Sequence, residues 1–145
     1  MVTSSARETR KLGSEFARKI KSGGVVALYG DLGVGKTTFV QGVAEGLGIK
    51  SRLVSPTFVI TRRYLLSVIR CVKLAYLWHV DLYRLTSVDD IKAVGIEELW
   101  QDPKNIVLIE WPEKIEGFLP EKRWEIGITT EGENTREILI TRIGK

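Results

Sequence analysis

The sequence predicts an α/β fold, on three observations. A short apolar run, Val25-Val26-Ala27-Leu28-Tyr29, leads into a glycine-rich stretch and then a helix-like segment. A second apolar run, Ile106-Val107-Leu108-Ile109, ends in an acid, Glu110. Around these two, helical and strand-like periodicities alternate along the 145 residues.

Taken in order, Ser5-Ala6-Arg7-Glu8 has the capping-box spacing, and Leu12, Phe16 and Ile20 recur every fourth residue, which predicts an amphipathic helix over 5–21. Gly23-Gly24 ends it. Residues 25–29 are short, apolar and partly β-branched, as a buried strand requires. Gly30 to Gly35 is a loop, and Phe39, Val40, Val43, Ala44 and Leu47 share one face of a helix over 36–47, stopped by Gly48. Pro56 marks a turn, and two apolar stretches, Thr57 to Ile69 and Val72 to Tyr83, read as paired strands. Ser87-Val88-Asp89-Asp90 repeats the capping spacing, with aspartate in place of glutamate, and opens a helix whose apolar face includes Ile91, Val94 and Leu99. The strand over 105–111 follows, and then two more, Trp124 to Thr129 and Glu137 to Thr141, around the polar turn Glu131-Gly132-Glu133-Asn134. No repeat, linker or low-complexity segment divides the chain, so residues 1–145 are expected to form a single domain.

Composition bounds the function. With 43% hydrophobic and 28% charged residues, and no apolar run near the roughly 20 residues of a membrane span, the chain reads as soluble. Charges occupy the N-terminal region where a signal peptide needs an apolar stretch. The only cysteine, Cys71, sits among Val68, Ile69, Val72 and Leu74 as a small hydrophobe, and a cytoplasmic location is expected. The net charge of +4 hides a division: residues 1–80 hold 13 Lys/Arg against 4 Asp/Glu, and residues 81–145 hold 9 against 14. Between 46 and 80, Lys50, Arg52, Arg62, Arg63, Arg70 and Lys73 meet no acid, a field suited to phosphates, RNA or an acidic protein surface, or else balanced in space by the acidic half.

Gly30-Asp31-Leu32-Gly33-Val34-Gly35-Lys36-Thr37 has the spacing of a phosphate-binding loop. In such a loop glycine lets backbone N–H groups approach phosphates that side chains would otherwise block. Lys36 then reaches the β and γ phosphates, the Thr37 hydroxyl ligates Mg²⁺, and the following helix aims its positive end at the same anion. Ordinary residue frequencies give a chance match on the order of one per cent in a chain this long. The strand before the loop and the helix after it lower that further.

Hydrolysis needs an acid for the metal and a group that orients water. Glu110, at the end of its apolar strand, stands where a Walker B carboxylate is expected, and its alternative reading is a surface glutamate opening a turn before Pro112. Asp81 ends another apolar run and is either a structural carboxylate paired with Arg84 or a group acting on metal or water. His79, the only histidine, excludes a histidine zinc cluster and reads as a packing or hydrogen-bonding residue. Trp78, Trp100, Trp111 and Trp124 are scattered, as core or interface residues are. No Asn/Thr-Lys-x-Asp segment follows the loop, which argues against a GTPase.

Together, Gly30 to Phe39, Ser55-Pro56-Thr57-Phe58, His79-Val80-Asp81-Leu82-Tyr83-Arg84-Leu85 and Ile109-Glu110-Trp111-Pro112-Glu113 resemble the TsaE family over roughly residues 5–140. The resemblance implies a P-loop NTPase-like three-layer α/β fold with a mixed, partly antiparallel sheet, with ATP and Mg²⁺ as cofactors. It implies an ATPase needed for N6-threonylcarbamoyladenosine at position 37 of tRNA, which resets the complex of the TsaB and TsaD proteins between turnovers and meets tRNA through that complex. It matches Asp31, Leu32, Gly33, Val34, Gly35, Lys36, Thr37 and Thr38 to the nucleotide loop, Thr37 and Glu110 to the metal, Asp81 to a catalytic carboxylate, Trp111 to a position beside the nucleotide, and Ser55 to Phe58 to a switch-like loop.

Two departures stand out: Val34 where alanine is common in the loop, and the apolar run Leu65 to Leu74 where the family has a polar or glycine-containing connection. That run predicts an exposed edge and self-association through the strands of 58–80. Two other classes of function remain open at this stage. One is a small-molecule kinase, for which Arg62 and Arg63 lie in an apolar strand pair rather than an arginine-rich lid. The other is a nucleotide-dependent binding module in which hydrolysis is incidental.

Overall fold

A computed structural model describes residues 1–20, 23–54, 60–66 and 75–145. Strand β1 (Val2–Thr3) precedes α1 (Ala6–Ile20), β2 (Gly24–Tyr29) and α2 (Lys36–Gly46); then come β3 (Thr61–Leu65), β4 (Tyr76–Asp81), α3 (Val88–Ala93), β5 (Ile106–Glu110), β6 (Arg123–Thr130) and β7 (Arg136–Ile143). Two 3₁₀ segments, Ile96–Trp100 and Pro112–Phe118, lie on either side of β5 in sequence.

The capping signals act as read. Ser5 Oγ accepts from the Glu8 N–H at 3.1 Å, and the Glu8 carboxylate returns to the Ser4 N–H at 2.6 Å. Ser87 Oγ likewise accepts from the Asp90 N–H at 3.1 Å. The helix opened by Ser87 is shorter than its periodicity suggests: Gly95, at φ +69°, breaks it, and Ile96–Trp100 continues as a 3₁₀ turn. The paired strands of the 57–83 region are confirmed as an antiparallel pair with Thr61 opposite Val80 and Leu65 opposite Tyr76. The switch-like loop Ser55 to Phe58, Cys71 and most of the apolar run behind the expected self-association lie outside the described residues.

All seven strands form one sheet in the order β1-β7-β6-β2-β5-β4-β3. The centre, β6-β2-β5-β4, is parallel, and antiparallel β7 and β3 flank it, with β1 paired to β7. The sheet is therefore mixed, as expected, and apolar layers cover both faces. Because strand side chains alternate, Val26, Leu28, Leu77, Ile106 and Leu108 pack under α1 and α2, whereas Val25, Val80, Val107 and Ile109 pack against Ile91, Ile96 and Ile115 on the other side. Both faces of the central strands are buried, which is why those strands read as continuous apolar runs.

Helices α1 and α2 approach so closely that Gly42 has no room for a side chain: a Cβ there would sit 1.9 Å from the Arg10 carbonyl oxygen. Phe16 and Phe39 fill the seam beside this contact, their ring centroids 5.7 Å apart. Gly42→Ala is expected to destabilise the protein by about 2–3 kcal/mol, because the obstacle is helix backbone that can yield only by separating the two helices. Chemical denaturation of the variant beside the parent measures it.

Candidate active site

The carboxyl ends of β2, β5 and β4 lie level. Leu28 is in register with Glu110, and Glu110 with Asp81. On β4 the residues sharing a face with Leu77 are His79 and Asp81, and on β5 those sharing a face with Ile106 and Leu108 include Glu110. This is the face that carries α2. Alternation thus delivers one imidazole and two carboxylates to the side of the sheet edge where the glycine-rich loop turns into its helix, the place where open α/β sheets bind ligands.

The loop is built for close approach. Gly30, at φ +148°, lies against β6 so tightly that a Cβ would come within 2.6 Å of the Ile128 carbonyl oxygen. Gly35, at φ +111°, turns the chain into α2, whose first amides have no side-chain cap. Those N–H groups, with the helix dipole behind them, face a cavity of about 310 Å³ bounded by Leu32, Gly33, Gly35 to Thr38, Asp81, Tyr83, Glu110 and Trp111. A larger hollow of about 470 Å³ between α3, the Ile96–Trp100 turn and Phe118 has Lys92, Glu97 and Glu98 on its walls but no loop amides. The chemistry therefore points to the smaller cavity.

Lys36 is buried, and its ammonium donates to the carbonyl oxygens of Gly30 and of Asp31, the latter at 2.9 Å. It also lies 4.2 Å from the centre of the Trp111 ring. Trp111 is the only non-glycine residue among those described with positive φ, 62°, a strained backbone at the rim of the cavity. Tyr83 packs against its ring at 4.9 Å, and Lys114 secures this wall by donating to the Tyr83 and Leu85 carbonyl oxygens, each at 2.6 Å.

Glu110 is a buried acid, only 3% exposed, which excludes the surface-glutamate reading. Its Oε1 accepts from Thr37 Oγ1 at 2.9 Å and lies 2.9 Å from His79 Nε2. A hydroxyl and a carboxylate held in contact at the loop are hard oxygen donors and fit Mg²⁺. Among the described residues no group of three or more His, Cys, Asp or Glu side chains is arranged to hold a metal ion. Asp81 is half-buried on the cavity wall, and its Oδ1 accepts from the Tyr83 N–H at 3.0 Å. The Val34 N–H is turned within the loop, to the Asp31 carbonyl oxygen at 3.3 Å.

Arg62 and Arg63 lie exposed on β3 and do not border the cavity; the Arg63 guanidinium stacks 4.7 Å over Tyr76. Two functional neighbours went unread in the sequence. Tyr83 was visible only as part of a motif. Arg136, at the start of β7, donates from Nε to the Val34 carbonyl oxygen at 2.8 Å and so ties the loop to a residue 102 positions away in the chain. No local pattern signals such a contact.

The family model for threonylcarbamoyl adenosine biosynthesis protein TsaE matches residues 3–138. The chain belongs to the TsaE family. Among its relatives, a tRNA threonylcarbamoyladenosine biosynthesis protein TsaE from Bacillus subtilis is 39% identical over 142 residues, 98% of this chain and 84% of the relative. The corresponding TsaE protein of Treponema pallidum is 35% identical over 139 residues, 96% of this chain and 97% of its own length. The crystal structure of Bacillus subtilis YdiB superposes with a TM-score of 0.76 at 35% identity, covering 99% of this chain and 84% of that one. The TsaE chain thus has the P-loop NTPase-like α/β fold that its loop and strands predict.

Two outcomes are expected at this site. Burial lowers the Lys36 pKa from its ordinary 10.5, with Glu110, Glu113, Asp81 and Asp31 opposing the shift. A polyphosphate beside the ammonium would favour the charged form, so the free protein releases this proton at lower pH than the complex. ADP affinity should therefore fall on the alkaline side, starting below pH 10.5, and calorimetric titrations should show that limb in the parent and lose it in Lys36→Ala. Arg136→Met frees the Val34 carbonyl, and ADP should then bind about tenfold more weakly, as equilibrium dialysis would show.

Proposed function

We propose that this TsaE chain is a magnesium-dependent ATPase serving the formation of N6-threonylcarbamoyladenosine in tRNA, and that its ATP hydrolysis resets a complex of the TsaB and TsaD proteins between turnovers. The observation that carries this reading is the contact of Thr37 Oγ1 with Glu110 Oε1, 2.9 Å, directly beside Lys36 in a phosphate-binding loop. The family supplies the pathway.

In this reading the loop amides and the first turn of α2 hold the β and γ phosphates of ATP, and Lys36 leaves the Gly30 and Asp31 carbonyl oxygens to neutralise them. Thr37 and Glu110 hold Mg²⁺, which when bound spreads the charge that develops on the phosphates. Asp81, in register beside Glu110 and on the cavity wall, is in this reading the carboxylate that orients the attacking water. Trp111 and Tyr83 wall the cavity and limit solvent. The proposal extends to a cytoplasmic location, a single functional domain and contact with tRNA through the partner complex.

Mg²⁺-dependent phosphate release by the protein alone and with TsaB plus TsaD tests the reading. Slow turnover that rises with the partners is expected, together with its loss on chelation of magnesium. Glu110→Ala should lower turnover at least about 100-fold with ATP still bound, and Lys36→Ala should weaken ATP binding about 10–100-fold. Turnover indifferent to the partners, or dependent on an added phosphoryl-accepting metabolite, would defeat it.

A further inference from the structure

The only histidine of the chain lies inside the site but outside the machinery just described. His79 is fully buried on β4, between β5 and β3, with Leu108 as its register neighbour on β5. Its Nε2 lies 2.9 Å from Glu110 Oε1, the same oxygen that accepts from Thr37 Oγ1. Its Nδ1 is buried and has no partner among the described residues.

Resting on the proposed magnesium site, we infer that His79 is the positioning residue for the metal acid: its ring donates from Nε2 to Glu110 Oε1 and holds the carboxylate at the angle that presents it to magnesium. The chemistry of the two partners decides the tautomer. A carboxylate that serves a cation has only lone pairs to offer, so the proton in the shared contact belongs to the ring. The opposite tautomer would set a nitrogen lone pair against carboxylate lone pairs and leave a buried N–H on Nδ1 without an acceptor among the described residues, two penalties in one place.

The arrangement also assigns each atom of Glu110 a role. Thr37 and His79 converge on Oε1 from different elements, α2 and β4, and so fix the plane of the carboxylate while Oε2 is free of both. Were magnesium held by Thr37 and Glu110, the Thr37–Glu110 hydrogen bond would be given up, and the His79 contact is the one that would keep the carboxylate oriented. Groups that hold a metal ligand in this way tune metal affinity without touching the metal.

Two measurements test the inference. The first uses the parent protein: with one histidine, ¹⁵N-labelled imidazole gives one set of ring signals, and the proton is expected on Nε2. A ring with no proton on Nε2 overturns the inference. The second compares His79→Gln, His79→Asn and His79→Leu by the magnesium concentration needed to tighten binding of a fluorescent non-hydrolysable ATP analogue. The glutamine amide reaches the position of Nε2, whereas that of asparagine reaches only to Nδ1. His79→Gln should stay near the parent, and His79→Asn and His79→Leu should need about 10–100-fold more magnesium, with analogue affinity in the absence of magnesium unchanged. A packing role predicts unaltered magnesium demand in all three variants, or equal behaviour of the Gln and Asn variants, and either result overturns the inference. If magnesium does not affect analogue binding in the parent at all, the proposed metal site fails, and the tautomer measurement still decides the role of His79 on its own.

Discussion

The site depends on the register of three parallel strands. Leu28, Glu110 and Asp81 lie side by side at the carboxyl edge because β2, β5 and β4 are paired without offset there. The side-chain period of a strand is two, so a slip of one residue in β5 would send Glu110 to the far face and bring Ile109 under α2. The apolar layers prevent that slip: Ile106 and Leu108 are held in one core, Val107 and Ile109 in the other. The hydrophobic packing that stabilises the sheet thereby also places the acid next to Thr37.

The same edge shows why the loop and the acid are interdependent. A glycine-rich turn supplies amides but no fixed anionic ligand, and a buried carboxylate with no cation is an expensive group to keep in a core. Glu110 is tolerated because Thr37 and His79 hydrogen-bond it on one side and the Lys36 ammonium faces the same cavity. Lys36, conversely, is held by two carbonyl oxygens of its own loop and by the Trp111 ring, so its charge is compensated within the protein.

Support for the loop comes from outside its own strand and helix. Gly30 is packed on β6, Arg136 of β7 holds the Val34 carbonyl, and Thr9 of α1 lies within 3.8 Å of where a Cβ on Gly35 would be. The β6-β7 hairpin, which bears none of the residues expected to touch a nucleotide, is in this way the backing against which the phosphate loop keeps its shape. The wall on the other side, Tyr83 on Trp111 with Lys114 behind, joins the ends of β4 and β5.

Much of this was legible in the residues alone, because local signals determine local structure. Capping boxes at Ser5 and Ser87, glycine stops, a four-residue apolar period in α1 and unbroken apolar runs in β2 and β5 predict the elements, and the spacing from Gly30 to Thr37 predicts the loop with no knowledge of the rest. The alternatives left open there were those that depend on distance. Glu110 reads as a metal acid with a surface residue as its alternative until a strand order buries it; His79 reads as a packing or hydrogen-bonding residue until β4 is laid beside β5; Tyr83 shows only as part of a motif, and Arg136 carries no signal at all. The two-residue β1 is too short to show a period, and the helix after Ser87 ends early because Gly95 adopts a left-handed turn that apolar spacing cannot reveal. Sequence by itself determined which segments are helix, strand and phosphate loop, since those follow from contacts a few residues long. Only the tertiary structure decided which acid meets Thr37 and what holds it, since those follow from strand register between residues more than 30 positions apart.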